Sequence, residues 1–572
     1  MTFEDTHRGI RDAGSLTELG IVIATYNRAE LLRQCLDALA AQSEASSNFE
    51  VIVVVDGSTD GTAEFLASYT GLRNLHVHVQ PNQGVGAARN KGAELSSARL
   101  LLFLDDDMVA APDLVSTHIE AHRSSAGIVG LGHIVNTVPP DADCFNRSTS
   151  AGLSDHYDRL KRGRRPSFMD CYSGNLSVPR QAFVELGGFA PDLPRSEDVE
   201  LGYRLQMAGL TLVYLESAIA RQEYRKTFGE IGADAEKGGA AALMLYARHP
   251  AMLPYMHLSE FCAASLGFRV ARTMLLALSP PSRLLQWLSA LFDGSRRERG
   301  WYRLLYSYFY WRGVRRSTGD GDLWKRLTDG TRILMYHAVG TGSEPASRYV
   351  IPNSRLLRQM RWLKRRGYRV LTFREYLRLR RENELAPRKS VIVTFDDGYA
   401  DFHDAGHPVL QQVDFPATMF VVSGAVGSSN KWDGSGALRE RPTLSWQALD
   451  EMQRGSVECG AHSRSHVALT AISPARRREE IEGCLADLKD RLPSVLPVYS
   501  YPYGKWDEDV EAEIARAGFE GACTVMPGMN VANTPPFRLR RTEVYGTDNL
   551  LQFGFLLWSG HRMGWPARAA AS

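Results

Sequence analysis

The chain has 572 residues, enough for roughly two to four domains that each bury a core. Its 67 lysines and arginines nearly balance its 65 aspartates and glutamates, so no global charge favours nucleic acid or another polyanionic partner. The seven cysteines form no C-x-x-C pair, which argues against a disulfide framework or a thiolate zinc site. The polar N-terminal stretch lacks the apolar core of a signal peptide, so we expect a cytoplasmic protein.

Predicted strands alternate with predicted helices over residues 20–220. Short apolar runs of the kind that form buried strands occur at Ile21–Ala24, Val51–Val55 and Leu100–Leu104. This alternation predicts a mostly parallel, doubly wound α/β sheet, whose ligand site lies at the carboxyl ends of the strands. Asp56 and the acidic triplet at 105–107 fall at two of those ends.

The triplet Asp105, Asp106 and Asp107 could serve as a cation site. Adjacent carboxylates repel one another, so leaving them without a cation at the end of a strand is costly. A hard divalent ion takes oxygen ligands and leaves room for phosphate oxygens, as in sites that hold nucleotide diphosphates. A solvated turn is the alternative, and the triplet alone favours neither.

Five further motifs surround the triplet in chain order. They are "IVIATYNR" at 21–28, "VIVVVDGSTDGT" at 51–62, "PNQGVGAARNKG" at 81–92, "YSGNLSVPRQAFVELGGF" at 172–189 and "SEDVELGYRL" at 196–205. Together they resemble the family 2 glycosyltransferases. The resemblance implies a GT-A fold, a Rossmann-like domain that binds a nucleotide sugar.

By this resemblance, several motif residues would contact a UDP-sugar donor. Thr25 and Tyr26 would line the uridine pocket. Asp56 would accept a hydrogen bond from the base or ribose, and Arg89 would approach the nucleotide or the pyrophosphate. Asp106 would belong to the same set of donor-binding residues.

The resemblance also implies a metal and a base. Asp105 and Asp107 would bracket a DXD-type motif that presents Mg²⁺ or Mn²⁺ to the diphosphate. Asp198 would be the general base that deprotonates the acceptor hydroxyl, and its substrate-binding neighbour Glu197 is the less favoured choice. A single displacement would invert the anomeric centre. Many relatives carry a histidine further on that helps to hold the metal, whereas this chain reads "ARQEYRKTF" there.

The segment that follows is helical, aromatic and rich in arginine. Residues 261–292 read as two amphipathic helices separated by Pro280 and Pro281, which either pack on a domain or lie on a membrane surface. Residues 295–316 hold seven arginines and seven aromatics beside one glutamate. They suit a helical bracket between domains or a membrane surface, and stacking on a sugar or nucleic acid is a lesser alternative.

A second alternation begins at "RILMYHAV", residues 332–339, and predicts a barrel-like α/β domain. Its predicted strands include Val391–Thr394, Ala417–Val422 and Val498–Tyr501. The first of these leads into Asp396 and Asp397. His462 and His466 lie four residues apart and could face one ion from a helical turn. Two imidazoles and one carboxylate make a facial site for zinc or a similar transition metal.

Five stretches carry a second resemblance. They are "ILMYHAV", "VIVTFDDGYADF", "FPATMFVV", "LSWQALDEMQRGSVECGAHSRSH" and "YSYPYGKWDEDVEAEIARAGF". They resemble the NodB-type polysaccharide deacetylases of carbohydrate esterase family 4 over residues 331–545, which implies a deformed (β/α) barrel. By this resemblance Asp396 would be the general base for the attacking water. The implied metal ligands are Asp397, His462 and His466. Tyr503 and the backbone around Gly504 would cradle the acetate or the oxyanion.

Two features depart from the pattern of these deacetylases. The arginine that many members place before the proline of the third motif is Ser500 or Tyr501 here. No clear "LH" pair near the C-terminus supplies the usual acid for the departing amine. His337 and His561 are the possible substitutes, and His337 belongs to a motif that this subgroup shares.

These patterns predict a glycosyltransferase domain at 1–240, a helical linker at 241–327 and a deacetylase domain at 328–572. We expect an enzyme that transfers an N-acetylhexosamine from a UDP-sugar to a saccharide or lipid-linked acceptor and hydrolyses the N-acetyl group to a free amine. The alternative is an active transferase whose deacetylase-like domain is inert or only binds carbohydrate. Membrane contact would be peripheral, at the inner face, and no nucleic acid is involved.

Overall fold

The computed structural model describes residues 17–45, 48–341, 344–433 and 438–562, so most of the polar N-terminal stretch lies outside the described residues. The chain forms two compact units. The first unit comprises the residues up to Leu245 and Arg272–Ser317, and the second comprises Tyr246–Ala271 and the residues from Thr318 onward. The middle segment is divided between the units, and the expected domain boundaries stay a prediction. None of the described helices is long and apolar enough to cross a bilayer.

The first unit contains one eight-stranded mixed sheet. Its strands are β1 (Leu19–Thr25), β2 (Phe49–Asp56), β3 (Leu75–Gln80), β4 (Leu100–Leu104), β5 (Val109–Ala110), β6 (Ile128–Thr137), β7 (Asn175–Pro179) and β8 (Thr211–Glu223). Their order across the sheet is β3-β2-β1-β4-β7-β6-β8-β5. The first four of these neighbours run parallel, and β7 is antiparallel to both β4 and β6. The expected α/β class and its three apolar strands are confirmed.

Helices cover both faces of this sheet. The helices of this part of the chain are α1 (Ala29–Ala40), α2 (Thr62–Ser68), α3 (Val85–Leu95), α4 (Leu114–Ser124), α5 (Cys144–Lys161), α6 (Arg180–Glu185) and α7 (Glu197–Met207), followed by α8 (Phe228–Arg248), α9 (Leu266–Leu278), α10 (Ser282–Ala290) and α11 (Glu298–Ser317). Successive residues of a strand point to opposite faces. Leu102 of β4 accordingly packs in one core with Leu36 of α1, whereas Phe103 packs in another with Leu201 of α7.

The two amphipathic helices expected in the middle segment are α9 and α10, and the prolines separate them as predicted. The aromatic and arginine-rich segment forms α11, in which Tyr308, Phe309 and Trp311 are buried. A side chain on Gly313 of α11 would collide with the backbone of Glu236 in α8, so the glycine permits a close helix crossing. Much of the aromatic content of α11 is therefore interior.

The second unit contains a curled, parallel sheet. The strands of this unit are β9 (Arg332–Tyr336), β10 (Ala338–Gly340), β11 (Val350–Pro352), β12 (Arg369–Val370), β13 (Ser390–Phe395), β14 (Ala417–Val421), β15 (Val457–Ala461), β16 (Val498–Ser500), β17 (Gly521–Cys523) and β18 (Thr542–Glu543). The sheet order is β17-β16-β15-β14-β13-β9-β18, with β12 beside β13, and β10 pairs with β11 separately. All of these pairs are parallel. The expected barrel-like α/β domain is confirmed as a curled half-barrel.

Helices pack on one face of this sheet around a large core, and α14 contributes to a second core on the other face. The helices of this part of the chain are α12 (Gly321–Leu327), α13 (Asn353–Arg365), α14 (Phe373–Arg381), α15 (His407–Val413), α16 (Trp446–Gln453), α17 (Pro474–Arg491), α18 (Glu508–Arg516) and α19 (Leu550–Ser559). Val391 and Val393 of β13 lie in the larger core, whereas Ile392 lies in the second. By this alternation Asp396 continues the face of Ile392.

The two edge strands of the curled sheet are linked by the segment that leads into β18. Leu539 forms an isolated parallel bridge with Cys523 of β17. Three residues later, Thr542 begins β18 and pairs with β9. Arg541 lies between these two pairings and is fully buried.

Candidate active sites

The carboxyl ends of β1, β2 and β4 lie at one edge of the first sheet because these strands are parallel neighbours. Thr25 ends β1, Asp56 ends β2 and Asp105 follows β4. Tyr26 follows Thr25 and is half-exposed at the same edge. The structure thus brings the predicted donor-binding residues and the acid triplet to one place.

The second and third acids of the triplet have partners from two other strands and a loop. Asp106 is buried and accepts hydrogen bonds from Thr25 Oγ1 (2.8 Å) and Arg28 Nη1 (3.1 Å). Burial raises the pKa of Asp106 to about 6, although Arg28 opposes this shift. Asp107 Oδ2 accepts from Arg28 Nη1 (3.0 Å) and Gln222 Nε2 (2.7 Å).

One oxygen of the triplet fits a bound cation. Asp107 Oδ1 is buried and has no hydrogen-bond partner within the described part of the chain. Burial, followed by repulsion from Asp105, raises the pKa of Asp107. A divalent cation would reverse this effect because it favours the charged carboxylates. The oxygen-rich donor set therefore suits Mg²⁺ or Mn²⁺.

Arg89 of α3 is buried and connects the triplet to the second acidic motif. Its Nη2 donates to Asp105 Oδ1 at 2.7 Å, and its Nη1 donates to Glu197 Oε1 at 2.8 Å. In this structure the guanidinium binds two carboxylates, so its predicted contact with a nucleotide stays a prediction. A side chain on Gly174 would approach Asp105 Oδ2 to 3.0 Å, so the loop before β7 also borders the triplet.

Asp198 lies in the first turn of α7, beside that same loop. Its Oδ2 accepts a hydrogen bond from the backbone N–H of Ser173 at 3.2 Å. Burial, with a contribution from the charge of Glu197, raises the pKa of Asp198 to about 6. Such a carboxylate is mostly charged at neutral pH and is a stronger base than an ordinary aspartate.

Asp56 is occupied in shaping the turn before α3. Its carboxylate accepts hydrogen bonds from Gln80 Nε2 (2.8 Å) and from the backbone N–H groups of Gln83 (2.9 Å) and Gly84 (2.8 Å). Its predicted contact with the base or ribose is therefore additional to a structural role, and it stays a prediction.

Sequence reasoning missed Arg28 and Gln222, the two partners of Asp107. Arg28 is the last residue of the first quoted motif, and this position was the available signal. Gln222 lies in "ARQEYRKTF", the stretch in which a histidine was sought and not found. Because β8 delivers Gln222 to Asp107, that stretch still reaches the predicted metal site.

In the second unit, the acid pair follows β13 and the two histidines follow β15. Asp397 Oδ1 lies 3.4 Å from His462 Nε2 and 3.3 Å from His466 Nε2. All three residues are buried, and their ligand atoms lie within 4.8 Å of one another. Asp397 Oδ1 has no hydrogen-bond partner among the residues that the structure describes. An orphaned carboxylate oxygen facing two imidazoles fits a transition metal such as Zn²⁺.

The orientation of His462 is set by a second contact. Its Nδ1 lies 2.8 Å from the backbone carbonyl oxygen of Ser500. Because a carbonyl oxygen only accepts, Nδ1 carries a proton, and Nε2 is the nitrogen that remains to bind a metal beside Asp397. This is the tautomer that a metal ligand at Nε2 requires.

The expectation of a helical turn at the histidines is wrong. The segment after β15 is a loop, in which Ser463 (φ 62°) and His466 (φ 54°) have left-handed backbone conformations. Asp397 (φ 73°) and Tyr503 (φ 58°) share this unusual conformation. The left-handed residues turn the loop so sharply that both imidazoles face Asp397 Oδ1, as they would from a helical turn.

Asp396 is held by Arg541, which sequence reasoning missed. Arg541 Nη1 donates to Asp396 Oδ1 at 2.6 Å, and Nη2 donates to Oδ2 at 2.8 Å. Nη2 also donates to Ser500 Oγ at 2.9 Å. Burial raises the pKa of Asp396, but Arg541 and the nearby histidines outweigh it, so the pKa lies below its usual value. The arginine sought beside Ser500 in the third motif thus comes from the segment before β18.

We expect Arg541→Gln to lower the hydrolysis rate with metal content unchanged, because Arg541 binds Asp396 and none of the metal-ligand candidates. Without the guanidinium, burial dominates, the pKa of Asp396 rises, and the acidic limb of the pH–rate profile moves to higher pH. Arg541→Lys keeps a positive charge and should move the limb less. Rate profiles and metal analysis of both variants check this.

Folding of the two variants must be checked, because removing one partner of a buried ion pair lowers the free energy of unfolding by about 3–5 kcal/mol. Both variants are therefore first compared with the unmodified chain by circular dichroism. An acidic limb that stays in place in a folded Arg541→Gln chain would contradict the proposed role of the pair.

Two aromatic rings flank His466 on the side of the site that is open to solvent. Tyr503 is half-exposed, and its ring lies 4.6 Å from that of His466. Trp432, which sequence reasoning did not single out, stacks on His466 at 4.8 Å. Gly504 follows Tyr503 with a positive φ of 68°, which a glycine adopts without strain.

The two candidate acids differ in their surroundings. The backbone N–H of Asp396 donates to the backbone oxygen of Tyr336 at 3.0 Å, so His337, the next residue, lies at the same edge of the sheet as the acid pair. His561 instead lies 3.1 Å from the backbone oxygen of Ser559 through its Nδ1. The role of either histidine as the proton donor stays a prediction.

Comparison with known proteins identifies a family for each half of the chain. The family model of Glycosyl transferase family 2 matches residues 20–187, and that of Polysaccharide deacetylase matches residues 383–522. Glycosyltransferase AglE of Haloferax volcanii is 30% identical over 220 residues, which cover 38% of this chain and 70% of AglE. The chain belongs to glycosyl transferase family 2. Its C-terminal part is a polysaccharide deacetylase domain.

Two further relatives match one domain each. Validoxylamine A glucosyltransferase of Streptomyces hygroscopicus subsp. jinggangensis is 33% identical to the transferase part over 270 residues, or 41% of this chain and 62% of that protein. The Bacillus subtilis protein YxkH is 23% identical to the deacetylase part over 233 residues, or 40% of this chain and 78% of YxkH. The chain spans about three fifths of the first curated relatives it matches.

Proposed function

We propose that the chain is a bifunctional enzyme of glycan biosynthesis. Its transferase domain would add an N-acetylhexosamine from a UDP-sugar to a saccharide or lipid-linked acceptor, and its deacetylase domain would hydrolyse the acetamide. The observation that best supports this proposal is the acid pair after β13. Asp396 is bound by the guanidinium of Arg541, whereas Asp397 faces two imidazoles. A base beside a metal site is an arrangement that catalyses amide hydrolysis, because the metal polarises the carbonyl and the base activates water.

In the transferase domain, each site residue would have its own role in a single inverting displacement. Asp105 and Asp107 would hold Mg²⁺ or Mn²⁺, which would neutralise the charge that develops on the leaving diphosphate. Asp198 would accept the proton of the acceptor hydroxyl. Glu197 is the weaker candidate because it already binds Arg89. Uridine binding is proposed at the exposed sheet edge, to Thr25, Tyr26 and Asp56.

In the deacetylase domain, Asp397, His462 and His466 would hold Zn²⁺ or a similar ion, which would polarise the acetamide carbonyl. Asp396 would accept a proton from the attacking water, and its depressed pKa keeps it charged and ready to do so. His337 would donate a proton to the departing amine. Tyr503 and the backbone around Gly504 would bind the acetyl group.

Product mass tests the whole proposal in one experiment. The purified chain is incubated with UDP-N-acetylglucosamine and other UDP-sugars, with saccharide and lipid-linked acceptors. We expect an acceptor that has gained a hexosamine and lacks the acetyl group. The matched control is an Asp396→Asn chain, which should stop at the acetylated product.

Two outcomes would contradict parts of the proposal. An acetylated product that persists with the unmodified chain at saturating metal would mean that the deacetylase domain is inert or only binds carbohydrate. No transfer from any UDP-sugar would refute the proposed donor. We also propose a cytoplasmic enzyme with peripheral contact to the inner face of the membrane, where lipid-linked acceptors are found.

A further inference from the structure

Two consecutive helices expose apolar side chains along one face. In α9, Met274 is 58% exposed and Leu278 is 74% exposed, four residues apart on the same face. In and just after α10, Leu284, Trp287 and Leu291 are 45%, 61% and 62% exposed. Their spacing of three and four residues places them on one face as well. We call these five side chains the α9–α10 face.

The opposite sides of α10 and of α9 from Arg272 onward are fixed to the first unit. Leu276 of α9 and Leu285 of α10 are buried. Ser289 of α10 accepts a hydrogen bond from Trp301 Nε1 of α11 at 2.9 Å, and Arg315 Nη1 donates to the backbone oxygen of Leu276 at 2.9 Å. Both helices are thus anchored by one side while the α9–α10 face stays open to solvent.

Positive charge accompanies the α9–α10 face, from Arg283 within α10 to Arg303 in α11. Five exposed arginines form no ion pair with any described residue, namely Arg283, Arg296, Arg297, Arg299 and Arg303. The two acids of this stretch, Asp293 and Glu298, both bind Arg147 of α5. They are therefore not available to neutralise the five arginines.

This combination fits one occupant better than the others. Apolar side chains with a tryptophan insert at the boundary of headgroups and acyl chains, and arginines bind anionic phosphates. A second copy of the chain, docked about a two-fold axis, would bring two sets of unpaired arginines together. Nucleic acid would need stacking platforms, and Trp287 is the sole aromatic among the five side chains of the α9–α10 face.

We propose that the α9–α10 face is the surface by which the enzyme binds a membrane containing anionic phospholipids. The proposal deepens, and rests on, the peripheral membrane contact proposed above. It places the apolar contact in α9 and α10, whereas the aromatics of the 295–316 segment largely pack inside the first unit. The arginines of that segment keep the role of binding headgroups.

Vesicle flotation of the full chain tests this proposal. We expect binding to vesicles of phosphatidylcholine mixed with phosphatidylglycerol, little binding to phosphatidylcholine alone, and weakening by salt. A chain with Leu278→Ser and Trp287→Ser should bind on the order of tenfold more weakly or worse. Replacing Arg283, Arg296 and Arg297 by glutamine should cost about fivefold for each arginine.

Methionine provides a matched control, because Met207 at the end of α7 is 59% exposed and Met274 is 58% exposed. Met274→Ser should weaken vesicle binding, whereas Met207→Ser should not. Equal weakening by both changes would overturn the proposal. So would undiminished binding of the Leu278→Ser, Trp287→Ser chain, or self-association or RNA binding by this face in place of vesicle binding.

Activity measurements separate this surface from the active sites. Transfer and hydrolysis with water-soluble substrates should be unchanged in the variants of the α9–α10 face. A chain that binds anionic vesicles but lacks both activities would refute the proposed function and leave the surface standing. A chain that has both activities but binds no vesicles would refute the proposed membrane surface and leave the proposed function standing.

Discussion

Asp397→Asn will lose most of the metal bound by the deacetylase domain, whereas Asp396→Asn will keep it and still be nearly inactive. Asp397 Oδ1 is the oxygen that faces both imidazoles, so an amide there weakens the donor set. Asp396 is bound by Arg541 instead, and its loss removes proton transfer. Removing a general base typically lowers the rate by about 10²–10⁴.

Metal content and hydrolysis rate are measured side by side on these two variants and on His462→Ala and His466→Ala. The histidine variants should resemble Asp397→Asn, with partial rescue by added metal. Asp404→Asn is the matched control, because that side chain is 76% exposed and, among the described residues, pairs only with its neighbour His403. Equal metal loss in both aspartate variants would contradict the division of labour. Undiminished hydrolysis in all four would mean that this site is not the catalytic one.

Asp107→Asn or Asp198→Asn will abolish sugar transfer and leave hydrolysis of a pre-made acetylated product intact. The two sites belong to separate cores, so a change at the edge of the first sheet does not reach the second. Asp107 carries the orphaned oxygen proposed to bind the cation, and Asp198 is the proposed base. For the base, we expect a loss of about 10²–10⁴ in the transfer rate.

Transfer is measured with donor and acceptor, and hydrolysis with purified acetylated product, on each variant. Asp141→Asn is the control, since its side chain is 71% exposed and, within the part of the chain that the structure describes, pairs only with the exposed Arg225. Loss of both activities in a variant that remains folded would show that the two-site description is wrong.

The strands and most site residues were predictable because they lie in contiguous motifs. β1, β2, β4 and β13 are short apolar runs that end in polar residues, and their alternation with helical stretches predicts buried parallel strands. His462 and His466 were predictable as a pair from their spacing. Their backbone was not, because a four-residue interval suits a helical turn and also a loop with left-handed residues.

Arg541 could not be predicted because nothing local distinguishes it from its neighbours. It lies 145 residues after Asp396, within a stretch that also contains Arg538 and Arg540. In the structure Arg538 pairs with Glu511, and Arg540 donates to a backbone oxygen. Only the bridge to β17 and the start of β18 decide which arginine enters the interior.

The sequence offered two segments, 261–292 and 295–316, as possible membrane surfaces and could not choose between them. The composition of 295–316 is the more distinctive, but aromatic side chains on several sides of a helix are buried by packing. The exposed apolar side chains lie in α9 and α10, whose own sequences are less distinctive. Which face of an amphipathic helix meets its unit is decided by tertiary contacts, and the sequence does not state them.

The left-handed residues around the deacetylase site link its ion to the stability of the fold. Asp397, Ser463, His466 and Tyr503 each occupy a backbone region that costs non-glycine residues on the order of 1 kcal/mol or more. Coordination would offset that cost, since an ion that binds only the folded chain stabilises it by mass action. At a given ion concentration, tighter binding of the ion would therefore raise the free energy of unfolding. A ligand set copied onto regular strands would lack this coupling, because the loop backbone is itself part of the site.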